Sequence, residues 1–132
     1  NTPYEGREFL IKLEFTNEFP QKPPKGYFLT KIFHPNIHPE TGAICLSLLS
    51  SDWTENTEIP HLLLAIRCLL IEPNPASALN EEAGRLMLEN YTDYFQKAKL
   101  MTQVYATKSK KISSQTGKKN TSNSSKKKLM RL

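Results

Sequence analysis

His34-Pro35-Asn36-Ile37-His38-Pro39-Glu40-Thr41-Gly42-Ala43-Ile44-Cys45-Leu46 sets a stiff corner a short loop ahead of a thiol. Proline fixes its own φ and biases the preceding residue toward extended backbone, so His34-Pro35-Asn36 can hold the Asn36 carboxamide in one place. Cys45 then lies within reach, and a thiol nucleophile beside a placed amide suits acyl transfer through a thioester. Each half also has an ordinary reading. X-Pro-Asn is a common turn, and a lone cysteine between apolar residues is common core packing.

Upstream of this stretch, Phe9, Ile11, Leu13 and Phe15 alternate with Glu8, Lys12 and Glu14. That period of two predicts a strand over about 7–16 with one face on a core. Phe19-Pro20 and Pro23-Pro24 break the chain, and the aromatic and β-branched run from Gly26 to Phe33 predicts a second strand that stops before Pro35. Residues 34–59 carry several turn signals and no sustained helical period, so they read as a long irregular connection, the kind of segment that commonly carries function. Two strands alone make a poor sheet. Either Ile44–Leu49 adds a short strand, or the chain begins inside a domain whose earlier elements are missing.

Downstream, Pro60 suits a first helical turn, Leu62, Leu63, Ile66, Leu69 and Leu70 supply an apolar face, and Pro73 and Pro75 end it, which predicts a helix over about 60–71. Cys68 lies on that helix and reads as packing. Asn80 is a helix cap, with Glu81 and Glu82 near the positive end of the dipole, and this helix ends near Asn90. A final helix follows from Tyr91 to about Thr107. Strands, irregular segment, then helices give an α+β fold: an antiparallel sheet with helices packed on one side.

Composition divides the 132 residues into a body, 1–106, and a tail, 107–132. All thirteen acidic residues lie at or before Asp93, whereas nine of the eighteen basic residues lie after position 107. The overall +5 charge therefore belongs to the tail, and the body is net acidic. Ser, Thr, Asn, Gln and Lys dominate the tail, which has little to bury and is predicted to be disordered. A basic tail also attracts polyanions without specificity, so a nucleic-acid-binding protein is a third functional class, one whose affinity would survive loss of the body. No apolar run approaches the ~18 residues of a membrane span, and no disulfide framework is marked, so Cys45 and Cys68 read as thiols in a nuclear or cytoplasmic setting. His34, His38, His61 and the two cysteines lack zinc-type spacing, which predicts no metal site.

Taken together, Thr2-Pro3-Tyr4-Glu5-Gly6, Phe19-Pro20 with Pro23-Pro24-Lys25, His34-Pro35-Asn36, Ile44-Cys45-Leu46, Trp53 and Pro73-Asn74-Pro75 resemble the ubiquitin-conjugating enzyme family in order and spacing. Within that family, Gly26–Asn36, Ser77–Leu86 and the final Leu129-Met130-Arg131-Leu132 resemble the S-type branch, which extends ubiquitin chains with the anaphase-promoting complex. The resemblance implies that Cys45 accepts ubiquitin from the activating enzyme and that a lysine amine later attacks the thioester. Asn36 would stabilise the oxyanion or order the loop beside it, and His34 and Pro35 would support the turn. No cofactor is implied on the chain itself, because ATP is used upstream by the activating enzyme. The implied partners are ubiquitin, the activating enzyme and a ligase, the anaphase-promoting complex, with no specific nucleic acid and no membrane.

Three departures from the family pattern bear on activity. Ser47 and Ser77 stand where many members carry acidic residues, which leaves Glu81, Glu82 and Asp52 to activate the acceptor lysine, Glu81 first by resemblance. Glu81 and Glu82 can equally serve only the helix start. The Asn36–Cys45 spacing is one residue longer than the resemblance leads one to expect of close relatives, with the extra residue expected in the surface turn at His38-Pro39-Glu40-Thr41. The family also opens with an amphipathic helix and a first strand, and the chain begins after both, which implies an N-terminally truncated core and raises the alternative of a catalytically weak binding module. In the tail, Leu129, Arg131 and Leu132 form a docking-type peptide in this reading, and its lysines are candidate sites of self-ubiquitination. Trp53 is expected to anchor core and loop.

Overall fold

The computed structural model describes residues 1–109 and 127–132. The predicted first strand is present but changes partner midway. β1 (Arg7–Glu8) pairs with β4 (Thr107–Lys108), and after Phe9 the chain continues as β2 (Leu10–Glu14), which pairs with β3 (Lys25–Phe28). Phe9, Ile11 and Leu13 are buried, whereas Lys12 and Glu14 form an ion pair at 3.2 Å on the opposite face. The period-two pattern thus sorts one face to the core and the other to solvent.

β3 is shorter than its composition predicts. Leu29 N–H and Thr30 N–H both donate to the Leu10 carbonyl, and Thr30 Oγ1 accepts from Leu10 N–H, so the ladder closes there. Ile44–Leu49 also forms no strand: Ile37↔Ile44 and Tyr27↔Ala43 are single bridges, and Ser47–Leu49 is a 3₁₀ turn. The third strand is β5 (Lys127–Arg131), antiparallel to β2 in the order β3-β2-β5. Both described ends of the tail, 107–109 and 127–132, are thus ordered by pairing with the body, although their composition favours solvent; residues 110–126 of the expected disordered segment lie outside the described residues.

The three helices are α1 (Ile59–Ile71), α2 (Glu81–Glu89) and α3 (Tyr91–Tyr105). Leu62, Ile66, Leu69 and Leu70 of α1 are buried, and Pro60 stands in its first turn, where its missing N–H leaves no bond unmade. Asn80 Oδ1 accepts from Ala83 N–H at 3.1 Å to open α2, and Asn90 Oδ1 accepts from Asp93 N–H at 3.2 Å to open α3. Each such cap stabilises a helix by about 1 kcal/mol. Leu62, Ile66, Tyr94 and Ala98 join Phe9, Ile11, Leu13 and Phe28 in one core cluster. Cys68, read as packing from the sequence, is exposed: at ~100° per residue it points about 200° away from Ile66 around the helix. Among the described residues, no helix is long and apolar enough to cross a membrane.

Candidate active site

His34-Pro35-Asn36 is buried throughout, and each residue clamps a different piece of chain. His34 Nε2 faces the Leu69 carbonyl at 2.9 Å and must carry the proton there. Its Nδ1 is then the acceptor for Asn36 N–H at 3.0 Å. Burial pushes the His34 pKa down from 6.5 to about 4, against the Leu69 hydrogen bond that favours the charged form. A neutral imidazole with both nitrogens occupied has no ring nitrogen left free for proton transfer. The Pro35 carbonyl accepts from Leu79 N–H at 2.8 Å and Asn80 N–H at 3.0 Å. These bonds fix the start of α2.

Asn36 completes the staple with its carboxamide. Nδ2 donates to the Asn74 carbonyl at 2.7 Å and the Ser77 carbonyl at 3.1 Å, and Oδ1 accepts from Asn74 N–H at 2.8 Å. Both amide hydrogens are therefore spent on ordering the 74–77 loop, and donation to an oxyanion requires one of these bonds to open. Asn74 is the partner that the sequence reading did not assign. The available signal was its place between Pro73 and Pro75, two residues that fix the backbone an amide clamp needs.

Cys45 joins the same assembly through its backbone, donating N–H to the Asn36 carbonyl at 2.8 Å. The thiol is free and the residue partly exposed. Between Asn36 and Cys45 the chain makes a surface turn at 38–43. There His38 N–H donates to the Ala43 carbonyl at 2.9 Å, Gly42 N–H to the His38 carbonyl at 3.0 Å, and His38 Nδ1 accepts from Glu40 and Thr41 N–H, both at 3.2 Å. Gly42 makes this turn feasible. Its φ is +76°, and a Cβ there would stand 2.0 Å from the Phe28 carbonyl oxygen.

The acidic candidates occupy different settings. Glu82 pairs with Lys97 of α3 at 2.6 Å, a half-exposed ion pair that links α2 to α3. Glu81 is exposed in the first turn of α2, immediately after the Asn80 amide held by Pro35, and no ion pair to it occurs among the described residues. Asp52 is exposed on the turn that follows the 3₁₀ segment, its N–H donating to the Ser47 carbonyl at 2.9 Å. Trp53 is buried and donates Nε1–H to the Pro20 carbonyl at 2.8 Å, the core-and-loop anchor expected of it. Of the tail residues, Leu129 and Arg131 face outward while Leu132 packs against the core. Among the described residues, no group of three or more His, Cys, Asp or Glu is arranged to hold a metal ion.

A partly exposed Cys45 tied through its backbone to a buried His-Pro-Asn staple, among antiparallel strands and three helices, defines an α+β domain with a cysteine at its candidate site. The family model for ubiquitin-conjugating enzyme matches residues 1–102, and the chain belongs to that family. It is 56% identical over 105 residues to ubiquitin-conjugating enzyme E2 S of Branchiostoma floridae, covering 80% of this chain and 49% of that protein. It is 59% identical over 104 residues to E2 S-A of Xenopus laevis, covering 79% and 46%. The chain thus spans about half the length of these relatives. The solved E2 domain of a Toxoplasma gondii ubiquitin conjugating enzyme superposes with a TM-score of 0.77 at 40% identity, covering 80% of this chain and 74% of that one.

Proposed function

We propose that the chain is a ubiquitin-conjugating enzyme of the E2 S type, carrying ubiquitin as a thioester on Cys45 and passing it to a lysine amine to extend a ubiquitin chain. The observation that carries this reading is the Cys45 backbone bonded to Asn36, whose carboxamide holds the loop that leads into α2. In the first step the Cys45 thiolate attacks the thioester carbonyl on the activating enzyme, and that enzyme's thiolate leaves. ATP is consumed there, not here. In the second step a neutral lysine amine attacks the Cys45 thioester, an isopeptide bond forms, the amine loses a proton, and the thiolate is released. Glu81, held beside the Pro35–Asn80 bond, is the carboxylate we assign to orient the amine and accept that proton, with Asp52 as the second candidate. Asn36 orders the loop that faces the incoming acceptor. The ligase is the anaphase-promoting complex, engaged through the Leu129–Leu132 peptide, and the setting is nuclear and cytoplasmic. Support for this finer assignment comes from the E2 S relatives and from the tail's sequence.

The rival reading, a binding module with little catalysis, draws on the serines at 47 and 77, where the resemblance leads one to look for carboxylates. Single-turnover charging with activating enzyme, ATP and ubiquitin separates the two. An adduct that thiol reagents remove and that Cys45→Ser lacks is the expected result. A chain that never acquires one belongs to the binding-module class. In a charged sample, Glu81→Gln should leave charging intact and slow discharge to lysine.

A further inference from the structure

Gly84 is a buried residue in the interior of α2, and its N–H donates to the Asn80 carbonyl at 3.0 Å as a regular helix requires. At such a position glycine weakens a helix relative to alanine, so a reason for it has to be sought in packing. Ala78 supplies one. A Cβ on Gly84 would stand 2.9 Å from the Ala78 Cβ and 3.7 Å from the Pro75 carbonyl oxygen. Carbon atoms pack at about 3.5–4.0 Å, so one added methyl would drive α2 and the loop before it apart by close to ~1 Å.

The loop that would move is tied to the staple on both sides of Ala78. Ser77 precedes it, and the Ser77 carbonyl accepts from Asn36 Nδ2 at 3.1 Å; Leu79 follows it and donates N–H to the Pro35 carbonyl at 2.8 Å. The turn ahead is braced from within. Asn74 Oδ1 accepts from Ala76 N–H at 3.1 Å, and the Asn74 carbonyl accepts from Ser77 N–H at 3.3 Å. A push on Ala78 is therefore passed on to Asn36 and Pro35. On the helix side of the contact, Glu81 lies one turn before Gly84, at a spacing of three residues that makes the two neighbours on the helix surface.

We infer that Gly84 is a positioning residue: by lacking a side chain it sets the spacing between α2, which carries Glu81, and the loop that Asn36 holds. The catalytic consequence rests on the ubiquitin reading above. Lysine attack uses both parts at once, the carboxylate on α2 to orient the amine and the loop ordered by Asn36 to receive it. Charging brings a thiolate, which needs no carboxylate to take its proton. A misplacement of about 1 Å in a catalytic constellation costs about a hundredfold in rate, so the spacing set by Gly84 governs the second step and spares the first.

Gly84→Ala, Ala78→Gly and the double variant form a cycle on the full 132-residue chain. Gly84→Ala should charge at a rate within about twofold of the parent, while its discharge to saturating free lysine should slow by about tenfold or more. In the double variant the opposing Cβ is gone, and discharge should return to that of Ala78→Gly alone. Equal discharge in parent and Gly84→Ala overturns the inference, and so does a loss that Ala78→Gly does not relieve. Amide hydrogen exchange at Leu79 and Asn80, whose N–H groups bond Pro35, reads the same spacing with no ubiquitin present. It should accelerate by about tenfold in Gly84→Ala and slow again in the double variant. That pattern upholds the spacing even in a chain that never charges, a result that would sink the ubiquitin reading alone; unchanged exchange overturns it. If Gly84→Ala does not fold, the double variant decides: a folded chain upholds the contact, and an unfolded one overturns it.

Discussion

The His34–Asn36 staple and the β5 edge strand both hold distant segments together, but by different physics. The staple is interior. Three consecutive buried residues use side chains and carbonyls to bind Leu69, Asn74, Ser77, Leu79 and Asn80, so a lost bond leaves a buried group of the staple itself unpaired, even where the partner lies on the exposed 74–79 loop. β5 lies at the sheet margin, where a broken ladder bond is recovered by solvent and the ion pair from Arg131 is three-quarters exposed on its basic side. Buried bonds fix a geometry for chemistry, whereas edge bonds make an element that can leave. Breaking the first should cost stability and function together. Breaking the second should change local opening with little effect on the site.

The severest single change expected at the site is Gly42→Ala, which spares every staple residue but breaks the turn between Asn36 and Cys45. An L-residue at φ +76° costs about 1–2 kcal/mol, and a Cβ 2.0 Å from the Phe28 oxygen forces the backbone apart as well, so denaturant unfolding should register a loss of about 4 kcal/mol. A loss below about 1 kcal/mol would show that the turn is looser than the bonds at 38–43 indicate.

His34 gives the staple a pH signature that β5 lacks. Its folded pKa of about 4 lies below the ordinary 6.5, so between these values the unfolded chain binds the proton and the folded chain refuses it. The associated stability is complete above pH 6.5, falls as pH drops through the window, and is gone below about 4. At ~1.36 kcal/mol per unit the whole window is worth about 3 kcal/mol. His34→Gln should flatten the pH dependence of unfolding by about that amount between pH 7.5 and 4, and parallel curves for parent and variant would remove His34 as the cause. Asn36→Ala ranks next. It removes the bonds to Asn74 N–H and two carbonyls on an exposed loop that solvent can reach, a loss of about 1–2 kcal/mol, and it should speed exchange at Asn74 while the Phe9, Ile11 and Leu13 amides stay protected.

The two regions also differ in how far the sequence discloses them. The staple was legible because its informative residues act locally: proline restricts its neighbours, histidine and asparagine have few ways to be satisfied when buried, and Cys45 follows at loop distance. α1 and the Asn80 cap were legible for the same reason, since periodicity and capping are short-range. Asn74 was not, because a clamp between residues 36 and 74 is written only in the folded backbone. β5 was least legible. Leu129-Met130-Arg131-Leu132 is too short for its alternation to stand out in a lysine-rich tail, and strand pairing depends on whether an edge is open elsewhere in the molecule. Cys68 shows the opposite failure: a place on an apolar helix suggests a place on its apolar face, and the angular position, about 200° from Ile66, decides against that.

The weakest effect belongs to the outermost contact, and its weakness is itself informative. Arg131 meets Glu8 at 3.5 Å with the arginine 75% and the glutamate 28% exposed, an arrangement in which solvent and salt screen most of the attraction. Arg131→Ala should therefore lower stability by no more than about 0.5 kcal/mol in thermal or denaturant unfolding, and high salt should erase the difference. Exchange at Phe9 and Ile11 should hardly move, because the ladder and the burial of Met130 and Leu132 carry the pairing. If Arg131→Ala instead exposed those amides as fully as Met130→Pro, which deletes a strand N–H, β5 would be held by charge and not by strand pairing, and its release would respond to ionic strength as the buried staple cannot.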